Sequence, residues 1–139
     1  MTRVTRRYEF SAAHVLARSD WSADRNAHVY GKCANPAGHG HNYTVEVTIE
    51  GEIDRRTGWI LRPEKLDELA VSRVVRRLDG RFLNLDVPDF GKRVPTAENI
   101  ARFVWDSLVR DVAPARLVSV RLVETRNNSV EYAGDEERA

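Results

Sequence analysis

The segment from Asn42 to Glu50 constrains the fold of this chain more than any other, because apolar and polar residues alternate along it. The apolar positions are Tyr43, Val45, Val47 and Ile49. Successive side chains of an extended strand lie on opposite faces of a sheet, so the segment predicts a strand with one buried and one solvated face. The fold must therefore cover one face of a sheet and leave the other open.

Similar patterns predict three more strands and two helices. The strands are expected over residues 4–10, 117–124 and 130–132. One helix begins near Pro63 and carries an apolar stripe at helical spacing up to Leu78. A second helix follows the N-cap residue Thr96 and ends before Pro114. The resulting β-β-α-α-β-β order favours an α+β fold: a four-stranded antiparallel sheet with two helices packed on one face and the other face left for another subunit.

Two long segments show neither the hydrophobic period of a helix nor that of a strand, and they are predicted to be irregular. Residues 17–40 mix Ser, Asp, Asn, Gly and Pro, which favours a shaped loop, and residues 79–95 are punctuated by glycine and proline. Long loops in a compact domain are usually functional or disordered. Residues 135–139 are expected to form a frayed end.

Length and charge narrow the class of ligand. A chain of 139 residues fits one domain spanning residues 1–139. Lys and Arg number 22 against 21 for Asp and Glu, so we expect neither nucleic acid nor a membrane surface as partner, but a small molecule. No segment is apolar enough for a signal or membrane helix, and Cys33 is the single cysteine. The sequence thus predicts a soluble protein of the reducing cytoplasm.

Two imidazoles separated by one glycine, His39 and His41, stand at the predicted start of one strand. Residues two apart on a strand share a face, so both side chains point the same way. His14 follows another alternating segment, and three histidines with one open position form the usual catalytic zinc site. The sequence predicts zinc at these three residues, rather than two surface histidines and a hydrogen-bonded core histidine.

Cys33 lies six residues before His39, on the loop that leads to this site. As a zinc ligand it would close the site and make it structural. Held a few ångströms away, it would be a base or nucleophile beside a cation that lowers its pKa; otherwise it is a small buried hydrophobe. We favour a chemical role. Asp79 and Glu124 each end a predicted element, where side chains reach pockets, although capping or solvated carboxylates would look the same in the sequence.

A series of motifs runs through nearly the whole chain. In order they are Phe10–His14, Gly31–Tyr43, Gly51–Asp54, Thr57–Gly58, Leu78–Asp79, Leu85–Pro88, Thr96–Asn99 and Glu124–Asn128. Together they resemble the 6-pyruvoyl-tetrahydropterin synthase family. An ordered series of this kind is far more specific than any single motif.

This resemblance implies a fold, a metal and an assembly. The fold would be the T-fold, and zinc would be held by His14, His39 and His41. The subunits would form a homohexamer, a dimer of trimers, with pterin sites at subunit interfaces.

The resemblance also implies roles for the remaining site residues. Glu124 matches the family's pterin anchor, and Thr96 and Glu98 match a segment that lines the same pocket. Cys33 matches the catalytic cysteine, which takes a proton from the substrate side chain while zinc polarises the side-chain oxygens. Asp79 matches the aspartate of the proton relay.

The spacing around the cysteine points to one reaction within the family. Five residues separate Cys33 from His39, similar to the tetrahydrobiopterin-pathway synthases, whereas bacterial relatives that make 6-carboxy-tetrahydropterin typically have three. The implied enzyme is a zinc-dependent carbon–oxygen lyase that converts 7,8-dihydroneopterin triphosphate to 6-pyruvoyl-tetrahydropterin with loss of triphosphate.

One departure from the family leaves other functions open. The family usually has Asp-His where this chain has Asp79-Gly80, so the relay histidine is absent. His28 is the one histidine not assigned to zinc, and we predict that it is a substitute proton carrier, although an exposed loop histidine would look the same. The alternatives are 6-carboxy-tetrahydropterin synthesis, cleavage of the dihydroneopterin side chain, and a pterin-binding oligomer without turnover.

Overall fold

A five-stranded sheet organises the computed structural model of the chain, which describes residues 1–135. The strands are β1 (Thr2–His14), β2 (His39–Gly51), β3 (Arg81–Phe82), β4 (Arg116–Thr125) and β5 (Asn128–Tyr132). Their order across the sheet is β3-β1-β2-β4-β5, and every neighbouring pair is antiparallel except β1 and β3. The long β1–β2 pair aligns His14 with His39, which brings the end of one strand to the start of the other.

Five helices accompany the sheet within residues 1–135. They are α1 (Ala23–Tyr30), α2 (Pro63–Ala70), α3 (Arg76–Leu78), α4 (Leu83–Asp86) and α5 (Ala97–Leu108), with a π-helical turn at Val71–Val75 and 3₁₀ turns at Gly31–Ala34 and Pro88–Phe90. The predicted helix from Pro63 to Leu78 is thus α2, the π turn and α3, and its stripe is buried at Leu66, Ala70, Val74 and Leu78. Of the five helices, α2, α3 and α5 bury their apolar residues against one face of the sheet. The Thr96 hydroxyl caps α5 by accepting from the Asn99 N–H at 3.2 Å, as its position predicts.

The two faces of the sheet differ in chemistry. The alternating residues Tyr43, Val45, Val47 and Ile49 are buried beneath the helices. On the opposite face, the Glu46 carboxylate accepts from Arg7 at 3.3 Å and from Arg121 at 2.6 Å. The predicted one-sided sheet is therefore confirmed. No helix among residues 1–135 combines the length and apolar character needed to cross a bilayer.

Three expectations about the elements are wrong. The segment 79–95, predicted to be irregular, contains β3, α4 and the 3₁₀ turn Pro88–Phe90. The sheet has five strands and not four, and it is not wholly antiparallel, because β3 pairs in parallel with β1 at Ala12 and Ala13. Two residues are too few to show a period of two in the sequence. The predicted loop 17–40 contains α1, whose buried residue is the polar Asn26, so it carries no apolar stripe to reveal it. The predicted frayed end spans residues 135–139, of which 136–139 lie outside the described part of the chain.

Candidate functional site

Three histidines meet at one edge of the sheet. His14 ends β1 and His39 begins β2, directly opposite each other in the pairing of the strands. His41 lies two residues further along β2, on the same face. One ring nitrogen from each lies within 4.8 Å of the others. The structure thus brings together all three residues that the sequence predicts as zinc ligands.

His14 is fixed in one tautomer. Its ring is fully buried, and its Nδ1 lies 2.7 Å from the carbonyl oxygen of Pro95. A carbonyl can only accept, so Nδ1 carries the proton and Nε2 presents a lone pair to the site. Burial lowers the pKa of His14, which keeps the ring neutral.

The geometry fits a metal ion. His14 Nε2 lies 3.0 Å from His39 Nε2, near the separation of about 3.3 Å that tetrahedral zinc with bonds of about 2.0 to 2.1 Å requires. His41 Nε2 is buried and has no hydrogen-bond partner among the described residues, an arrangement that is costly unless a ligand completes it. Three imidazole nitrogens are a donor set that zinc commonly takes, so the residues present fit the predicted ion.

Glu124 shares this face of the sheet. It lies near the end of β4, and its Oε2 is 3.9 Å from His14 Nε2. Its other oxygen accepts from Asn128 Nδ2 at 3.2 Å, and its side chain is 16% exposed. The carboxylate therefore borders the histidine cluster and remains accessible to a ligand.

Cys33 and His28 precede β2. Cys33 is half-buried in the 3₁₀ turn Gly31–Ala34, and its carbonyl accepts from the Leu16 N–H at 2.8 Å. This bond ties the turn to the segment that follows His14. His28 lies on α1 and is exposed to solvent.

Asp79 and Gly80 lie beside β1, close to Ser11. The Asp79 carboxylate accepts from the Ser11 N–H at 2.8 Å, and the Gly80 N–H donates to the Ser11 carbonyl at 2.7 Å. These bonds hold the chain against the outer edge of β1, three residues before His14. Gly80 has φ of +71°, a conformation that glycine adopts without strain.

Thr96 and Glu98 stand at the start of α5. Thr96 is half-buried and follows Pro95, whose carbonyl holds His14, while Glu98 is exposed in the first turn of the helix. Thr96 is thus adjacent to the histidine cluster through the backbone. The role of Pro95 was missed from the sequence, because a backbone acceptor leaves no residue signature.

Tyr43 was assigned to the core, and it also supports the site. Its hydroxyl lies 3.4 Å from His14 Nδ1, on the side shared with the Pro95 carbonyl. Burial raises the pKa of Tyr43, so the hydroxyl stays protonated. Its place two residues after His41 on one strand face is the signal that would have found it.

Comparison with known proteins agrees with this arrangement. The family model described as 6-pyruvoyl tetrahydropterin synthase matches residues 3–135. A 6-pyruvoyl tetrahydrobiopterin synthase of Pongo abelii is 42% identical over 133 residues, covering 96% of this chain and 92% of that protein. The structure of Caenorhabditis elegans 6-pyruvoyl tetrahydropterin synthase superposes with a TM-score of 0.90 at 36% identity, covering 96% of each chain.

A more distant relative has a different name. A dihydroneopterin monophosphate aldolase of Pyrococcus furiosus is 30% identical over 110 residues, covering 79% of this chain and 77% of that protein. The match to the family model over nearly the whole chain, with the T-fold that the resemblance implies, identifies this protein as a lyase-type enzyme of the 6-pyruvoyl tetrahydropterin synthase family.

Proposed function

We propose that this enzyme is a zinc-dependent 6-pyruvoyl tetrahydropterin synthase. It converts 7,8-dihydroneopterin triphosphate to 6-pyruvoyl-tetrahydropterin and releases triphosphate. The observation that carries the proposal is the distance of 3.9 Å between Glu124 Oε2 and His14 Nε2, which makes a candidate pterin anchor and a candidate metal site parts of one pocket.

Glu124 binds and orients the pterin. A carboxylate accepts two parallel hydrogen bonds from the 2-amino group and the adjacent ring N–H of a pterin, and this bidentate contact fixes the ring. Asn128 holds one carboxylate oxygen at 3.2 Å and so limits the rotation of the side chain. Thr96 and Glu98 line the same pocket from the start of α5.

His14, His39 and His41 hold the zinc ion, and Cys33 moves the proton. Bound zinc supplies a Lewis acid that polarises the oxygens of the substrate side chain. Cys33 removes a proton from a side-chain carbon, and the electron pair of that C–H bond forms a carbon–carbon double bond as triphosphate leaves with the electron pair of its C–O bond. The resulting enol becomes a ketone, and proton shifts from the adjacent carbinol to the C=N bond of the ring give the second carbonyl and the tetrahydro ring, so no external oxidant or reductant is needed. The half-buried position of Cys33 suits a thiol that must reach substrate.

The relay behind Cys33 differs from that of the family. Asp79 is a member of the relay, held by the Ser11 N–H, but Gly80 provides no imidazole. His28 serves as the substitute proton carrier, supported by its position five residues before Cys33.

The enzyme works in the cytoplasm as a homohexamer of two trimers. The open polar face of the sheet and the 82% exposed Leu85 support burial against further copies of the chain. Six chains of 15.8 kDa each would then sediment together as a particle of about 95 kDa.

Cleavage of the dihydroneopterin side chain is the second candidate function. The similarity to an aldolase and the presence of Gly80 in place of the relay histidine favour it. Mass spectrometry of products from zinc-loaded protein and dihydroneopterin triphosphate separates the functions. A pyruvoyl product supports the first proposal, whereas hydroxymethylpterin or a carboxy product refutes it, as does tight pterin binding without turnover.

A further inference from the structure

A groove lies on the β3 side of β1: its lining residue Asn84 follows β3, the neighbour of β1 on the side away from β2, and bonds the backbone of Val15, next to His14. It is formed by the segment 17–20 after β1, by Asn84 of α4 and by the loop 91–94 before Pro95, and its volume is about 530 Å³. None of the residues that line it takes part in metal binding, pterin binding or proton transfer in the proposed function. His14 and Pro95 contact each other, and both are near the groove in sequence. Val94, which precedes Pro95, lines one wall, and Ala17, three residues after His14, lines the other.

The groove is rich in positive charge. Its cationic side chains are Arg18, Lys92 and Arg93, against the single carboxylate of Asp20. Asp20 is bound by Arg18 through two contacts of 2.9 and 2.7 Å. Lys92 and Arg93 form no ion pair with any residue in the range 1–135, so both charges are available to a ligand.

The walls of the groove are held in place by side-chain amides. These contacts join Asn84 to both backbone groups of Val15 at 2.8 and 2.9 Å, Asn26 to both of Arg18 at 2.8 and 3.0 Å, and Asn99 to the carbonyl of Val94 at 2.8 Å. Each fixes a segment that has no strand or helix partner of its own. Arg18 thus projects from backbone that is held in place, and Val94 is held at the end of the loop that carries Lys92 and Arg93, which lowers the entropic cost of binding an anion.

The order of groups across the sheet matches the order of groups in the proposed substrate. Glu124 lies on β4, the histidines lie on β2 and β1, and Asn84 of the groove follows β3, on the other side of β1. Dihydroneopterin triphosphate has its pterin ring at one end, its three-carbon side chain in the middle and its triphosphate at the other end. With the ring on the carboxylate and the side chain at the histidines, the phosphates extend toward the groove.

We infer that this groove is the subsite for the triphosphate group, with Lys92 and Arg93 as its contacts to phosphate oxygens. The inference rests on the proposed function for the identity of the substrate. Charge-assisted bonds to phosphate are among the stronger polar contacts, and a cationic groove also speeds capture of an anion. Arg18 contributes less, because Asp20 already neutralises it.

Calorimetric titration with inorganic tripolyphosphate tests the subsite directly. We expect the zinc-loaded double variant Lys92→Gln/Arg93→Gln to bind tripolyphosphate at least about tenfold more weakly than the parent. The matched control is Arg55→Gln/Arg56→Gln, two exposed arginines in the turn after β2, which should bind like the parent. Asp20→Asn should bind more tightly than the parent, because it removes the one carboxylate of the groove and releases Arg18.

The same variants separate this inference from the proposed function. Binding of dihydroneopterin, which lacks phosphate, should be unchanged in Lys92→Gln/Arg93→Gln. Equal tripolyphosphate affinity in the parent and this variant, or an equal loss in the arginine control, would overturn the inference. If the proposed function alone is wrong, the parent releases no triphosphate from dihydroneopterin triphosphate, yet its binding of tripolyphosphate still depends on Lys92 and Arg93.

Discussion

His14 Nδ1 donates to the carbonyl oxygen of Pro95 at 2.7 Å, across 81 residues of sequence. This bond joins the end of β1 to the segment that starts α5, and it leaves the lone pair of Nε2 directed at His39. One contact therefore connects the packing of a helix on the sheet to the orientation of a candidate metal ligand. Loss of a hydrogen bond that orients a metal ligand typically lowers the affinity for the metal by about 10- to 100-fold.

The first prediction concerns the metal. His41→Asn should lower zinc affinity by at least about 100-fold, because it removes a nitrogen that is buried and otherwise without a partner in residues 1–135. The measurement is the zinc content per chain after dialysis against a weak chelator, determined by inductively coupled plasma mass spectrometry. His28→Asn and Cys33→Ser should both retain the metal of the parent. Full zinc occupancy in His41→Asn would refute the three-histidine site.

The second prediction concerns pterin recognition. Glu124→Gln should weaken pterin binding by more than about tenfold, because an amide cannot accept both hydrogen bonds of the pterin edge. Zinc content should stay the same. Fluorescence titration with a pterin measures the affinity, and Glu131→Gln, an exposed glutamate of β5, is the control. Unchanged affinity in Glu124→Gln would locate the anchor elsewhere.

The sequence predicted the parts of this fold that have a clear period. The strand β2, the buried stripe from Leu66 to Leu78 and the cap at Thr96 follow from side-chain patterns. The shared face of His39 and His41 follows from strand alternation, whereas the approach of His14 depends on the pairing of β1 with β2. The two-residue β3 is too short to show a period, and the polar helix α1 buries too little to show one.

Long-range contacts could not be predicted from patterns within one segment. The Pro95 carbonyl that holds His14 is a backbone group, so its residue type gives no signal. The approach of Glu124 to His14 depends on β2 lying between β1 and β4, a property of the strand order rather than of either segment.

The third prediction concerns acid stability. Asp67 on α2 accepts from Arg6 at 2.7 and 2.9 Å and from the Tyr8 hydroxyl at 2.7 Å, and Arg6 holds the pKa of this carboxyl below its usual range. A lowered folded-state pKa stabilises the fold above the unfolded pKa of about 4, and this contribution is lost as pH falls through the folded value.

Asp67→Asn should therefore destabilise the protein by about 1 kcal/mol at neutral pH and by less in acid. Urea unfolding at about pH 7 and about pH 3 measures both values. Glu68→Gln, an exposed neighbour on α2, should change neither. If Asp67→Asn lowers the free energy of unfolding as much in acid as at neutral pH, the loss comes from packing and not from charge.

The last prediction concerns the missing relay histidine. An added Cβ at Gly80 meets no atom within 4 Å, so a side chain has room there, but φ of +71° imposes strain of about 1 to 2 kcal/mol on any other residue. Gly80→Ala carries that strain without an imidazole and is therefore the control. General acid–base catalysis contributes about 10² to 10⁴-fold in rate, so Gly80→His should raise turnover of dihydroneopterin triphosphate by at least about tenfold over Gly80→Ala.

His28→Ala should lower turnover in the parent and have a smaller effect in the Gly80→His background, because the new imidazole then carries the proton. If Gly80→His stays at background while zinc and pterin still bind, the absent relay is not what limits the reaction, and a different substrate becomes the leading hypothesis.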